Sequence, residues 1–189
     1  IRLIDNEALF HAQKSELPLL LVYCFEPSVM NYDDSDVRHW RFVYESLLDL
    51  QKKLDTIESK IYIFYDEAKT IFSKLIKNFE VKAVFSHQEI GNKITFNRDI
   101  EMQEFFHTNN IEWNQFQMHG VIRKLKSREH WDKRWEEIMR ATPKIVKESD
   151  LKLVSIDNDF YSKIKGENLA PEITTSNKNF QQGGENLAW

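Results

Sequence analysis

Val81 to Asp99, VKAVFSHQEIGNKITFNRD, is the stretch that decides the fold. Val81, Ala83, Val84 and Phe85 form a short apolar run, as a buried strand does. A polar loop follows, Ser86 to Lys93. Arg98 and Asp99 then open an amphipathic segment that carries Ile100, Phe105 and Phe106. Strand, polar loop and helix make half of a βαβ unit. Ligands of open parallel sheets sit beyond the carboxyl ends of the strands, so this loop is the first place to look for a site.

The same alternation extends to both sides. Toward the amino end, Ile61 to Tyr65 is a strand, and Asp66 caps a helix with Ile71, Phe72, Leu75, Ile76 and Phe79 on its inner face. Leu19 to Phe25 is a strong buried strand that ends at Glu26-Pro27. Asp33 to Ser35 offers caps for a long helix, in which Trp40, Val43, Leu47, Leu50 and Leu54 recur at steps of three and four. Asp5-Asn6-Glu7-Ala8-Leu9 reads as a helix start. Toward the carboxyl end, Ile111 to Phe116 is a weaker, edge-type strand. Short links between alternating strands and helices predict the α/β class with a parallel sheet.

Composition sets outer bounds. The chain has 189 residues, enough for one domain with an appendage, and a formal charge of −4 that gives no global pull toward nucleic acid. The lone Cys24 excludes an internal disulfide and favours a reducing compartment. No run is apolar and long enough to span a membrane, and there is no signal peptide, so the expected location is cytoplasmic. The six His residues show no metal-ligand spacing, and neither GxGxxG nor GxxxxGK[ST] occurs.

The character changes after Phe116. Gly120 to Met139 is dense in charge and Trp. Its basic residues Arg123, Lys124, Lys126, Arg128, Lys133 and Arg134 alternate with Glu129, Asp132, Glu136 and Glu137, which reads as a solvated helix face laced with ion pairs. Trp131, Trp135, Ile138 and Met139 share a helical face, expected to pack on the sheet or on another domain. Lys144 to Gln182 reads as a long linker laid over a surface. Gly183-Gly184-Glu185-Asn186-Leu187-Ala188-Trp189 looks like the beginning of a helix. For Arg98-Asp99, the simplest reading places Asp99 near a helix N-terminus and pairs Arg98 with a neighbouring carboxylate.

Five stretches together resemble the photolyase and cryptochrome family. Ile1-Arg2-Leu3-Ile4-Asp5-Asn6-Glu7-Ala8-Leu9 resembles the family's amino-terminal signature without its opening residues. Phe25-Glu26-Pro27 resembles the end of its second strand. Arg41-Phe42-Val43-Tyr44-Glu45-Ser46-Leu47-Leu48-Asp49-Leu50 resembles its helix motif, and Arg98-Asp99 matches the pair after the fourth strand. Phe180-Gln181-Gln182-Gly183-Gly184-Glu185 resembles the junction before its helical domain, with Gln182 in place of the usual Pro.

The resemblance implies a Rossmann-like, doubly wound, parallel five-stranded sheet of order 3-2-1-4-5, flanked by helices and followed by a long linker. It implies an α/β domain over residues 1–119, and a helical segment and linker over 120–189 leading to a C-terminal FAD-binding domain. On this plan the central strand precedes Ile1. The parent protein would be a monomeric deoxyribodipyrimidine photolyase that repairs cyclobutane dimers in damaged DNA, and this fragment alone would not be catalytic. Alternatives are the same domain of a cryptochrome-like blue-light photoreceptor, or an unrelated nucleotide-binding α/β domain. The last would want a Gly-rich loop where Gly91 stands alone.

The resemblance also implies an antenna chromophore: methenyltetrahydrofolate, 8-hydroxydeazaflavin or FMN. Its expected seat is a crevice at the switch point. Arg2, Asp5 and Asn6 would come from the first loop, Cys24, Phe25 and Glu26 from the second strand's end, and Glu89, Gly91, Asn92 and Lys93 from the loop after the fourth. Cys24 and Phe25 would form the floor and the others a polar rim.

Overall fold

The computed structural model describes residues 2–188 apart from Lys124 and Lys126. Ile1 and Trp189, and the two lysines of the basic cluster, lie outside the described residues.

Helix α1 (Glu7–Lys14) begins where Asn6 accepts the Leu9 N–H. Strand β1 (Leu21–Phe25) leads into the short α2 (Pro27–Met30). Helix α3 (Val37–Asp55) is capped by Asp36, one residue beyond the expected Asp33 to Ser35, through its bond from the Arg38 N–H. The apolar stripe then buries Leu47, Leu50 and Leu54 against Phe25 and Ile61. Each fully buried leucine contributes about 1.5–3 kcal/mol. Strand β2 (Ile61–Tyr65) follows as read from sequence, then α4 (Ala68–Leu75). Asp66 is not the cap itself: its carboxylate accepts the Glu67 N–H and pairs with Lys74, both at 2.8 Å. Strand β3 (Ala83–His87), α5 (Lys93–Thr108) and β4 (Glu112–Phe116) complete the alternation.

The fold is mixed α/β with parallel strands, but the order 3-2-1-4-5 is not seen. Instead β1 pairs with β2, and β3 with β4, as two separate parallel sheets. The hydrogen bonds explain the division. In a parallel strand, alternate residues turn their N–H and C=O to opposite neighbours. On β2, Ile61, Ile63 and Tyr65 face outward, to Gln51 Oε1, Tyr161 Oη and the Lys165 C=O. By the register, Tyr62 and Phe64 then face β1, and Val22 and Cys24 face away from β2. On the other sheet Glu112 donates to Lys82 and Gln88 to Phe116, which turns Ala83, Phe85 and His87 away from β4. The backbones of Val22, Cys24, Ala83, Phe85 and His87 have no partner among the described residues.

The outer edge of β2 is closed by the tail of the chain. Tyr161, on α7 (Asn158–Ile164), donates its hydroxyl to the Ile63 C=O at 2.6 Å and accepts its N–H at 3.2 Å. Gly166 then bridges to Tyr65, and a Cβ there would lie 1.9 Å from the Tyr65 carbonyl oxygen. The expected linker is thus laid over this same domain. Val146 and Leu151 join the core beneath α3, and Ile156 and Ile164 the one beneath α4. Ahead of it lies α6 (Trp131–Met139), where Trp131, Trp135 and Met139 are exposed and Ile138 is half-buried, so this face does not pack on either sheet as a whole. Trp135 lies against Gly120, where a Cβ would be 1.9 Å from its ring.

The chain continues through α8 (Pro171–Thr174) to α9 (Glu185–Ala188). Glu185 binds three partners at once: Lys53 Nζ at 2.6 Å and the N–H groups of Leu3 and Ile4 at 3.3 and 3.0 Å. Burial pushes its pKa up, but these three donors outweigh it and hold the carboxyl below its ordinary 4.5. Beside it, Gly183 sits so close to α3 that a Cβ would be 2.0 Å from the Phe42 carbonyl oxygen.

Because the folded pKa of Glu185 lies below the unfolded one, its contribution is complete above about pH 4.5 and is lost as pH falls through the folded value. Glu185→Gln should therefore cost about 1–3 kcal/mol at neutral pH. The gap to the parent protein should narrow in urea melts taken at successively lower pH below 4.5. A constant gap down to pH 3 would remove Glu185 as the acid-sensitive group.

Candidate functional site

The carboxyl ends of the two strand pairs are joined by one polar cluster. Glu26 follows β1 directly and is 5 % exposed. Its Oε2 accepts the Ala68 N–H at 3.2 Å, and its Oε1 meets Arg98 Nη1 at 2.5 Å. Arg98 lies in the second turn of α5, whose start is capped by Asn92. From there Nε and Nη2 donate to Asp99 Oδ1 at 3.2 and 3.0 Å, and Nη2 stands 4.0 Å from Glu89 Oε2. The second Asp99 oxygen accepts Arg123 Nη2 at 2.6 Å and Gln115 Nε2 at 3.5 Å. Arg123 also donates to the Glu89 carbonyl.

Two guanidinium groups and three carboxylates thus tie β1, the loop after β3, helix α5, strand β4 and the loop beyond it. Burial works to lower the Arg98 pKa, but Glu26 and Asp99 raise it further, so it stays charged. Every inner oxygen is committed to a donor, so this is a clasp rather than acid–base machinery. Arg98 does pair with a neighbouring carboxylate, as expected, but Asp99 lies well inside α5 and not at its N-terminus. Arg123 is the residue that the sequence concealed. It reads as one of many charges in a solvated run, and its partner Asp99 lies 24 residues away.

The ten residues expected at one crevice are spread over several places. Arg2 pairs with Asp5 at 3.0 Å, Asp5 accepts the Lys144 N–H, and Asn6 caps α1, so this group fastens the amino-terminal loop. Phe25 is wholly buried beside Trp40 and Tyr23, and Cys24 points to the opposite core with Tyr62 and Phe64. The two residues alternate across the sheet, so they cannot form one floor. Glu26 belongs to the clasp. Glu89, Gly91 and Asn92 do line a crevice of about 180 Å³, with Thr95, Phe96 and Arg123. Lys93 is exposed in the first turn of α5.

That volume lies below the roughly 300 Å³ at which small-molecule sites begin. The Glu89 side chain also folds back onto the Ile90 and Gly91 N–H groups, at 2.9 Å each. Of the ten expected residues, three therefore stand at this crevice and seven elsewhere. Among the described residues no group of His, Cys, Asp and Glu is placed to hold a metal, and no helix is long and apolar enough to cross a membrane.

Parallel strands between helices, clasped at their carboxyl ends, define an α/β domain. The DNA photolyase family model matches residues 1–130, and the chain belongs to that family, as its N-terminal α/β domain. The chloroplast and mitochondrial cryptochrome DASH of Arabidopsis thaliana is 30% identical over 95 residues, 47% of this chain and 17% of that protein. The blue-light photoreceptor PHR2 of the same plant is 28% identical over 97 residues, 49% of this chain and 22% of that protein. An archaeal photolyase from Sulfolobus tokodaii, described as holding two FAD molecules with the implication of a novel light-harvesting cofactor, shares the fold. Its TM-score is 0.64 at 19% identity, over 90% of this chain and 40% of that one. A bacterial class III photolyase from Agrobacterium tumefaciens gives 0.58 at 16% identity, over 84% and 37%. The chain therefore spans less than half the length of each relative named.

Two outcomes test the clasp and its surroundings. Arg98→Ala leaves the buried Glu26 without its charged partner and Asp99 with Arg123 alone, and should cost about 3–5 kcal/mol in denaturant melts. A loss under 1 kcal/mol would mean the cluster carries no weight. Burial first, and Glu26 second, push the Cys24 thiol up to about 12. At pH 8 it should react with iodoacetamide far more slowly in folded protein than in urea, and equal rates would contradict its placement.

Proposed function

We propose that this chain is the N-terminal scaffold of a deoxyribodipyrimidine photolyase. The observation that carries the reading is the family match, which runs through both strand pairs and into the charged segment beyond β4. In this reading residues 1–119 form the α/β domain, and 120–189 lead to a C-terminal helical domain that binds FAD. That domain supplies the chemistry: the flavin transfers an electron, driven by light, to a pyrimidine dimer flipped out of damaged DNA. The α/β domain does none of it. Its part is to present a rigid face, with the clasp of Glu26, Arg98, Asp99 and Arg123 holding the strand ends in place. The protein is proposed to be monomeric and cytoplasmic.

The reading includes the sheet. The pairs β1–β2 and β3–β4 are the two sides of one five-stranded sheet of order 3-2-1-4-5, and a strand from outside the 189 residues pairs with Val22 and Cys24 on one side and with Ala83, Phe85 and His87 on the other. The relatives named as cryptochrome DASH and as a blue-light photoreceptor support a second reading, the same domain of a photoreceptor.

A repair assay on the whole protein separates the two. Purified with FAD and lit with blue light, it should restore pyrimidines in dimer-containing DNA, while bound flavin without repair would favour the photoreceptor. Titration with methenyltetrahydrofolate, 8-hydroxydeazaflavin and FMN should show no tight second chromophore. Stoichiometric binding of any one, lost on Arg123→Ala, would restore an antenna role to the crevice.

A further inference from the structure

We propose that the face where residues 183–185 cross α3 is the seat of the C-terminal helical domain, with Ile4, Phe42, Phe180 and Leu187 as its apolar contacts. This rests on the proposed reading, in which that domain follows α9 in the chain. Four large apolar side chains stand in water here: Ile4 is 44 % exposed, Phe42 40 %, Phe180 45 % and Leu187 65 %. The tail brings them to one place. Ile4 donates its N–H to Glu185 at 3.0 Å. Phe42 lies beneath Gly183, where a Cβ would be 2.0 Å from the Phe42 carbonyl oxygen. Leu187 stands two residues past Glu185, and the Phe180 ring is 5.7 Å from the guanidinium carbon of Arg41, the chain neighbour of Phe42. Single exposed apolar side chains are ordinary, but several at one place mark a surface that meets another.

The tail is fastened there by three residues at steps of four along α3. Glu45 accepts the Gly183 N–H at 2.8 Å. Asp49 accepts the Asn186 N–H at 3.2 Å and its side-chain amide at 2.9 Å. Lys53 meets Glu185 at 2.6 Å. These bonds fix the axis of α9, and with it the direction of the helix that continues from it in the proposed reading. A helix turns by about 100° per residue, so with Glu185 and Asn186 bonded to α3, Leu187 lies on the side away from it. Whatever covers Leu187 must therefore come from beyond α3. A second copy of the chain is the rival occupant. The four side chains offer on the order of 400 Å² of apolar surface, while a stable dimer needs roughly 600 Å² or more from each partner. A tethered domain needs less, because the tether supplies the effective concentration. The chain covers 40% and 37% of the two photolyase structures that share its fold, so on that reading the larger part of the protein is available to cover this face.

Cysteine footprinting of the whole protein tests the seat. Phe42→Cys and Leu187→Cys are compared with Ile145→Cys, at a site 69 % exposed, by their rates with a maleimide at pH 7. Cys24, its thiol pushed up to about 12, contributes little. Flavin absorbance and sedimentation are read on the same preparations. In monomeric, FAD-bound protein, Phe42→Cys and Leu187→Cys should react about tenfold or more slowly than Ile145→Cys, and all three should react alike in urea. Leu187→Cys decides the matter if Phe42→Cys does not fold. Labelling as fast as at Ile145→Cys in a protein that holds FAD would overturn the docking and leave the photolyase reading standing. Slow labelling in a protein that holds no flavin would keep the docking face and remove the flavin reading. Protection that disappears when a dimer is diluted to monomer would assign the face to a second copy and overturn the proposal.

Discussion

Every N–H and C=O of a strand taken out of water must find a partner, and the layout of this domain depends on how that demand is met. Where water is excluded, each unmet group costs about 1–3 kcal/mol. The chain meets the demand at the outer edge of β2 by unusual means: a glutamine side chain, a tyrosine hydroxyl and a stretch of tail serve Ile61, Ile63 and Tyr65 in turn. The close approach of the tail at Gly166 is tolerable only without a Cβ. Among the described residues, no such provision serves Val22, Cys24, Ala83, Phe85 or His87. The outer edge of β2 is thus closed, while these backbones stay open among the described residues, at the place where the proposed sheet puts a further parallel strand.

The ionic clasp belongs to the same design. Two sheets that share no backbone ladder need another tie, and Glu26, Arg98 and Asp99 supply it where the strands end. Buried ion pairs add little net stability over an apolar contact, but they are strongly directional. This one fixes the end of β1 relative to α5 and, through Arg123, the loop after β4. Glu185 does the same across the far side of α3, binding the start and the tail of the chain to Lys53. Together the two clusters tie the strand ends, α3 and both ends of the described chain to one another.

Much of this was legible in the sequence, for physical reasons. Ile61 to Tyr65 and Leu19 to Phe25 are dense in β-branched and aromatic residues, and the stripe ending at Leu54 repeats with helical period, so these elements were read nearly to the residue. Polar pairing across the fold was less visible. Nothing local marks Arg123 as the partner of Asp99, or Glu185 as the partner of Lys53. Cys24 and Phe25, expected to share one floor, are neighbours in a strand and so face opposite cores. The Trp131–Met139 face looked like a packing stripe from its period, yet the structure leaves Trp131, Trp135 and Met139 exposed. Periodicity reports which residues share a face, not whether anything covers it.

The central claim is that the two strand pairs are the sides of a single sheet, and amide hydrogen exchange in the whole protein tests it residue by residue. The account predicts that the gap-facing amides of Val22, Cys24, Phe85 and His87 exchange as slowly as those of Tyr23, Phe25, Val84 and Ser86, which are bonded within their pairs. An alternating pattern, with the first set exchanging as fast as exposed edge amides and the second set slow, would show that no strand lies between the pairs and would contradict the account.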